Sequence, residues 1–313
     1  MAPAQPHVSH TSYDVVVIGA GHAGCEAALA AARTGASVLV LTPNLDRIGF
    51  MPCNPSIGGP AKGHIVAEID ALGGAMAEAI DRTALQIRVL NASKGPAVQG
   101  LRAQADKTLY SMAMKEALET QPGVELRQES ARTIEARVSR GQPAVTAVVT
   151  DFGNTYQCKA AVITAGTFLR GNMIAGDWRS AGGRAGEGTT RDLAVSIGDV
   201  GIRLRRLKTG TPPRIDARTI DFSLTEAQHG SDVPLWFSRA GRAGRVERLD
   251  LPPLAVYPGR TEGWRPQLSC YLVQTNAEGH DLIARNVDRS PMFNGSIQGI
   301  GPRYCPSIED KVM

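Results

Sequence analysis

Aromatic residues are scarce in this chain, at 5% of 313 residues, so its interior must be packed largely with aliphatic side chains and alanine. The hydrophobic share of 42% is still enough to fill a core. The five cysteines (Cys25, Cys53, Cys158, Cys270 and Cys305) include no Cys-x-x-Cys pair. That spacing argues against a structural zinc site and against thioredoxin-type dithiol chemistry. No run of ~18 apolar residues and no signal-peptide pattern occurs, which reads as a cytoplasmic protein with reduced thiols and no membrane span. There is no internal repeat, and the formal net charge is only +4.

Glycine is what the chain has in excess, with 34 residues. Abundant glycine with scarce aromatics suits an α/β fold whose backbone approaches ligands closely. The length allows two domains. Residues 1–12, rich in Pro, Ser and His, read as a disordered tail. Asp14–Ile18 (DVVVI) predicts a buried parallel strand. An alanine-rich helix follows, closed by Gly35, and Ser37–Leu41 forms the next strand. Lys62–Ala71 and residues 103–120 predict helices. Val124–Arg127 and Thr146–Thr150 predict strands, and Ala160–Thr164 a further buried strand. A glycine-rich loop spans Gly182–Gly188, with a helix from Thr190. Residues 230–266 read as loops and short strands. The chain stops just after a helix begins at its end, which reads as a truncated product.

Gly19, Ala20, Gly21, His22, Ala23 and Gly24 spell G-x-G-x-x-G between the first strand and the first helix, the context this motif needs. Gly19 permits the turn, Gly21 lets the backbone approach a pyrophosphate, and Gly24 allows close helix–strand packing. The helix N-terminus then faces the anion. The second strand ends in Thr42-Pro43-Asn44, so the usual carboxylate to the ribose is missing and the ribose must be held differently. The fingerprint alone fits NAD or FAD. The later Val162–Thr167 turn (VITAGT) favours FAD, because two-dinucleotide flavoproteins carry a similar element.

Cys53 lies in CNPSIGGPAKG, a polar, glycine-rich run suited to wrapping a ligand. A thiol becomes nucleophilic at neutral pH near a cation or a helix start; Lys62 and the helix it opens are the expected source. Cys305 precedes Pro306 and Ser307-Ile308-Glu309-Asp310, which resembles a capping box. The residues alone leave open that both thiols are ordinary core residues. Cys25, Cys158 and Cys270 fall in apolar patterns and read as core. Lys94, in the polar loop Asn91–Val98, could meet a phosphate, a flavin or only solvent. Asp70 and Asp81 could be acids or bases, but nothing in their spacing singles them out. From Arg179 to Arg218 nine basic residues face four acidic ones. Arg179, Arg184, Arg203, Arg205, Arg206 and Lys208 form a candidate phosphate-binding surface or a solvated basic face.

Taken together, GAGHAGCEAA, CNPSIGGPAKGHIVAEIDALGG, NASKGPAV, RAQADK, LKTGTPPRIDARTIDF, DRSPMFNG and GPRYCPSIEDKV resemble the MnmG or GidA family, the FAD subunit of the tRNA wobble-uridine carboxymethylaminomethyl-modifying enzyme. The resemblance runs from Tyr13 onward and is weakest at 230–266. It implies an α/β, Rossmann-like two-dinucleotide-binding flavoprotein fold with a smaller inserted α/β domain. Residues 13–206 would be a discontinuous FAD-binding domain with its C-terminal part missing. Residues 207–313 would be the inserted NADH-binding domain and the start of the return. The resemblance implies FAD, NADH and methylenetetrahydrofolate, a GTPase partner subunit, a homodimer and the tRNA anticodon region as substrate. The product would carry an aminomethyl or carboxymethylaminomethyl group at carbon 5 of wobble uridine 34.

Carried over by residue, Gly19–Gly24 hold the FAD diphosphate, and Ala131 and Thr190 make further FAD contacts. Gly301, Pro302, Arg303, Tyr304, Cys305, Pro306, Ser307, Ile308, Glu309, Asp310, Lys311, Val312 and Met313 open the stretch linked to nicotinamide nucleotide. Cys53 and Cys305 match the cysteines regarded as catalytic. The nearest rival is a folate- and FAD-dependent tRNA uridine-54 methyltransferase, which CNPSIGG and YCPSIED disfavour. A small-molecule flavin oxidoreductase is disfavoured by the lack of a close cysteine pair. A non-catalytic RNA-binding or dimerising module is the third reading.

Overall fold

The structure is a computed structural model and describes residues 10–249, 259–260, 264–297 and 307–313. The chain opens with β1 (His10–Ile18), α1 (His22–Arg33) and β2 (Val38–Thr42). β1 thus begins at His10, before the predicted strand, and pairs in parallel with later sequence from His10 onward. β3 (Ser56–Gly58), α2 (Lys62–Ala71), α3 (Met76–Thr83), β4 (Ala84–Leu90), β5 (Gly100–Ala105) and α4 (Lys107–Glu119) follow. Then come β6 (Val124–Gln128), β7 (Ala131–Ser139), β8 (Gln142–Thr150) and β9 (Thr155–Ile163). The hairpin β10 (Asn172–Ala175) and β11 (Trp178–Ala181) leads to α5 (Asp192–Asp199). The remainder holds β12 (Glu226–Gln228), α6 (Arg239–Arg242), β13 (Gly259–Arg260), β14 (Gln267–Leu268), β15 (Cys270–Leu272), α7 (Ala277–Arg285) and α8 (Ile308–Val312).

Six strands form the main sheet in the order β6-β2-β1-β9-β8-β7. β6, β2, β1 and β9 run parallel, and β8 and β7 continue antiparallel. Side chains alternate across a strand, so a sheet covered on both faces needs apolar residues at every position. β2 shows this: all five of its residues are buried. Val17, Val38 and Val40 face a core built with α1 and α4, while Val16, Ile18, Leu39 and Leu41 face a second core with β7, β8 and α5. Each such burial stabilises by about 1.5–3 kcal/mol at most, since unfolded chains already hide some apolar surface. Alanines 28 and 32 and Leu29 let α1 lie close to the sheet. Gly35 closes it at φ +88°, donating to the Ala32 carbonyl at 2.9 Å.

Two expectations need correction. The predicted helix at 103–120 is a strand as far as Ala105, and its helical part is Lys107–Glu119. Asp106 stops the strand by capping the helix, accepting from the Thr108 and Leu109 amides at 2.9 and 3.0 Å. Ala160–Thr164 is a strand as far as Ile163 but is not buried. β8 pairs with β9 only at Thr155–Gln157, so the later part of β9 is an open edge and Lys159 and Ala160 are exposed.

The region 230–266, where described, does consist of loops and short elements, and it is pinned to the first half of the chain by buried carboxylates. Asp81, fully buried at the end of α3, accepts from the Phe237 and Ser238 amides at 2.9 and 2.8 Å and from the Ser238 hydroxyl at 2.7 Å. Asp70 accepts from the Arg239 amide at 2.8 Å. Arg265 lies over Trp264 at 4.6 Å and donates to the Asp81 and Ala84 carbonyls. Burial lowers its guanidinium to about 10 and raises the Asp81 carboxyl. Both carboxylates are buried and bonded to backbone amides, a structural role in holding residues 237–239. Asp81→Ala would strand two buried amides and a hydroxyl. It is expected to lower the unfolding free energy by about 3 kcal/mol in urea titrations, and a neutral result would show that water replaces the carboxylate.

Candidate functional site

The C-terminal ends of β1 and β9 meet where the strand order turns: β1 leads through α1 to β2 on one side, and β9 lies on the other. In open α/β sheets such a point forms a ligand crevice. The turn Gly19–Gly24 fills it. Gly19 adopts φ +100°, and a Cβ there would stand 2.7 Å from the Thr164 carbonyl oxygen. At Gly24 a Cβ would stand 1.8 Å from the Gly19 carbonyl oxygen, which is why only glycine fits. Thr164 ties the two strand ends together. Its amide donates to the Ile18 carbonyl at 2.9 Å and its hydroxyl to the Gly19 carbonyl at 2.8 Å.

Gly21 is different. It caps α1 in extended conformation with no side-chain cap bond, and no atom lies within 4 Å of where its Cβ would be. The first turn of α1 carries no acidic residue. Free amides, the positive end of the helix dipole and open space together fit a pyrophosphate. Ala20 is buried, Ala23 exposed, and His22 half-buried with its ring stacked on Tyr110 at 5.6 Å. Burial lowers the His22 pKa. The Cys25 thiol, pushed up to about 12 by burial, donates to the Ala20 carbonyl and is inert core. Glu26, unremarked in the sequence, caps α3 by accepting from the Ala75 and Met76 amides.

At the end of β2, Thr42 is buried and Asn44 accepts from the Asp46 amide at 2.8 Å, so no carboxylate takes the ribose position there. Ala131 begins β7, buried in the same core cluster as Ile18 and Leu41 near the tips of β1 and β2. Thr190 lies just before α5, its amide donating to the Phe168 carbonyl at 2.9 Å. The loop Gly182–Gly188 folds toward this end of the sheet. Arg184 sits over Phe50 at 4.9 Å and Phe168 at 5.4 Å and pairs with Glu187. Arg47 and Lys107 also face Phe50, at 4.6 and 5.4 Å. Arg184 is therefore committed within the chain rather than free for a phosphate.

Cys53 stands half-buried on the loop before β3. Its thiol donates to the Gly210 carbonyl at 3.3 Å. Arg214 donates to the Cys53 carbonyl at 2.7 Å and to that of Pro52 at 3.3 Å. Among the described residues no hydrogen bond joins Cys53 to Lys62, and β3 and Gly59–Ala61 lie between them in the chain. The cation at the loop is Arg214, 161 residues away in sequence, and no local pattern could have shown it. Lys94 is exposed with the rest of Asn91–Val98.

Gly301, Pro302, Arg303, Tyr304, Cys305 and Pro306 lie outside the described residues. Beyond them, Ser307 caps α8 with the expected capping box to Asp310. Ile308, Glu309, Lys311, Val312 and Met313 form and close that helix. The Asp310 carboxyl is held low by the Ser307 amide first and also by the charge of Lys208. Lys208 is two residues from Gly210, so the start of α8 and the Cys53 loop flank one basic segment. No cluster of three or more His, Cys, Asp or Glu suited to a metal occurs among the described residues. No helix among them is long and apolar enough to cross a membrane.

The profile of the family "Glucose inhibited division protein A" matches residues 14–313. The chain is 55% identical over 318 residues to a tRNA uridine 5-carboxymethylaminomethyl modification enzyme MnmG of Roseiflexus sp. strain RS-1, covering 96% of this chain and 47% of that protein. It is 54% identical over 308 residues to the protein of the same name from Chloroflexus aurantiacus, covering 97% and 47%. Among solved structures, Aquifex aeolicus GidA in its form I crystal superposes with a TM-score of 0.81 at 46% identity, covering 96% of this chain and 47% of that one. The chain thus spans about half the length of the relatives it matches.

Proposed function

Because this chain belongs to the glucose inhibited division protein A family, we propose that it is the FAD-holding and thiol-bearing part of a tRNA uridine-modifying enzyme. The observation that carries this reading is the anion-ready turn at the β1–β9 crevice. Gly19–Gly24 would hold the FAD diphosphate on the α1 amides, and Ala131 and Thr190 would border the same cofactor. When bound, FAD supplies redox and one-carbon chemistry that no side chain can. Cys53 is the proposed nucleophile, adding to carbon 6 of the uracil ring, with Arg214 fixing its loop through the Pro52 and Cys53 carbonyls. Cys305 is its proposed catalytic partner, and Gly301–Met313 the proposed nicotinamide stretch.

The finer reading goes beyond the relatives' name and rests on the resemblance of the sequence motifs. A (carboxymethyl)aminomethyl group is placed at carbon 5 of wobble uridine 34, with methylenetetrahydrofolate as carbon donor and NADH as reductant. A GTPase partner and a homodimer complete the assembly in the cytoplasm. Residues 13–206 serve as the FAD domain and 207–313 as the inserted domain. A flexible anticodon loop makes exposure of the target base cheap. The test is to purify the chain, add excess FAD, remove unbound flavin and record the visible spectrum. Retained flavin absorption supports the reading; a protein that stays colourless overturns the cofactor assignment to this turn.

A further inference from the structure

We propose that the hollow between Arg170, Arg191 and Arg206 seats a backbone phosphate of an RNA strand; this rests on the tRNA reading above and adds a site to it. The hollow encloses about 240 Å³, far more than the ~10–15 Å³ one water needs. The residues lining it include three arginines, Asn172 and Thr189, and no acidic residue. Of the acids near Arg191 in sequence, Asp192 pairs with Arg132 at 2.9 Å and Glu187 with Arg184. Among the described residues, the side chains of Arg170 and Arg191 have neither an ion pair nor a hydrogen bond, and Arg206 donates only to the Arg170 carbonyl, at 2.7 Å. Three like charges round one space repel one another, and an anion between them removes that cost.

The surrounding backbone is fixed. Arg170 adopts φ +50°, uncommon for a residue with a side chain, and its amide donates to the Thr190 carbonyl at 3.1 Å. Such outliers gather at ligand sites. The Gly171 amide donates to the Thr189 hydroxyl at 2.7 Å, and that hydroxyl to the Phe168 carbonyl at 2.6 Å. A Cβ on Gly171 would stand 2.3 Å from the Thr167 carbonyl oxygen, so the loops cross with no slack.

The chemistry favours a strand of RNA over a free nucleotide. Arginine forks match phosphate oxygens, but the lining offers no aromatic or large apolar side chain to grip a base. Arg170, Arg191 and Arg206 are all exposed, so the hollow opens to solvent. Residues 201–207, exposed throughout, carry Arg203 and Arg205 onward from Arg206 and extend the positive track along which a backbone could run. The sequence pointed to Arg206 but missed Arg170 and Arg191, which stand beyond either end of the glycine-rich loop.

Arg170→Ala and Arg191→Ala remove no side-chain hydrogen bond or ion pair among the described residues and are the clean test, with Arg206→Lys as the conservative control. Binding of a fluorescein-labelled RNA stem-loop with an unpaired uridine-containing loop is followed by anisotropy over a salt titration. Each alanine variant is expected to bind about 5–10-fold more weakly and to flatten the slope of log Kd against log salt by ~0.7–0.9. Arg206→Lys should retain most of the affinity, and flavin uptake should be unchanged. If wild type binds RNA and both alanine variants match it in affinity and slope, the hollow is not an RNA site. The RNA assignment is equally overturned if RNA affinity holds while NADH or inorganic phosphate binding drops. If wild type binds no RNA, the tRNA reading falls with it.

Discussion

Gly24→Val is expected to abolish flavin retention, weakening binding at least ~100-fold, and to cost the apo-protein about 3 kcal/mol. The cause is geometric. A single Cβ at position 24 falls 1.8 Å from the Gly19 carbonyl oxygen and 2.7 Å from the Thr164 hydroxyl. Neither is the far end of a flexible side chain: one is backbone, and the other is bonded to the Ile18 and Gly19 carbonyls. Relief therefore requires α1 to move away from the β1–β9 strand ends, and overpacking of this kind typically costs 1–3 kcal/mol. The same movement withdraws the α1 amides from the anion they would hold, and each ~1.4 kcal/mol lost there weakens binding tenfold. Gly21→Ala separates the two effects. Nothing lies within 4 Å of its Cβ, so the apo-protein should lose only the difference between glycine and alanine at a helix cap, about 1 kcal/mol or less. Flavin affinity should still drop at least ~10-fold, because the methyl occupies the space proposed for the pyrophosphate. Thermal unfolding of the apo-proteins and flavin titrations check both. Full flavin affinity in Gly21→Ala would move the diphosphate off this turn.

That turn was legible because everything defining it is local. Strand, glycines and helix lie within one stretch, and each glycine's role follows from its neighbours along the chain. Lys62–Ala71 was legible for the same reason. Asp106 shows where local reading fails. Residues 103–105 have a helical composition, but Ala103 and Ala105 are buried in β5 against β4, and pairing decides their state. Likewise, the apolar run Ala160–Thr164 reads as buried, yet exposure depends on where β8 stops pairing, which composition does not encode. Nothing in the sequence singles out the carboxylates at 70 and 81 until segment 237–239 brings them amide donors. The site follows this division. Its phosphate turn is visible in the sequence, whereas the partners of Cys53 come from residues 210 and 214.

Cys53→Ser is expected to keep flavin and RNA affinity within about twofold of wild type and to lower the rate of uridine modification by about 10³-fold or more. The four described thiols are not equivalent. Cys25 is fully buried with its pKa pushed up to about 12, and burial also raises Cys158. Cys270 hydrogen-bonds Gln86 Oε1 at 3.4 Å in the contact between β15 and β4. Cys53 alone among the four lies on a glycine- and proline-rich loop beside an exposed arginine, held by one hydrogen bond to a carbonyl that a substrate can displace. In the proposed reaction its thiolate forms a bond to uracil carbon 6, and the electron pair passes through carbon 5 to the carbon 4 oxygen as an enolate. Carbon 5 then bonds to the one-carbon electrophile. Loss of the carbon 5 proton and cleavage of the sulfur–carbon 6 bond restore the thiolate. Serine can keep the hydrogen bond to Gly210 and nearly the same volume, but its hydroxyl is a far weaker nucleophile at neutral pH, so the loss should fall on the rate and not on binding. Mass spectrometry of nucleosides from tRNA incubated with FAD and the proposed NADH, methylenetetrahydrofolate and GTPase partner measures it. A wild-type rate in Cys53→Ser would remove Cys53 from the chemistry, and preferential alkylation of Cys25 over Cys53 would contradict the burial that sets the two thiols apart.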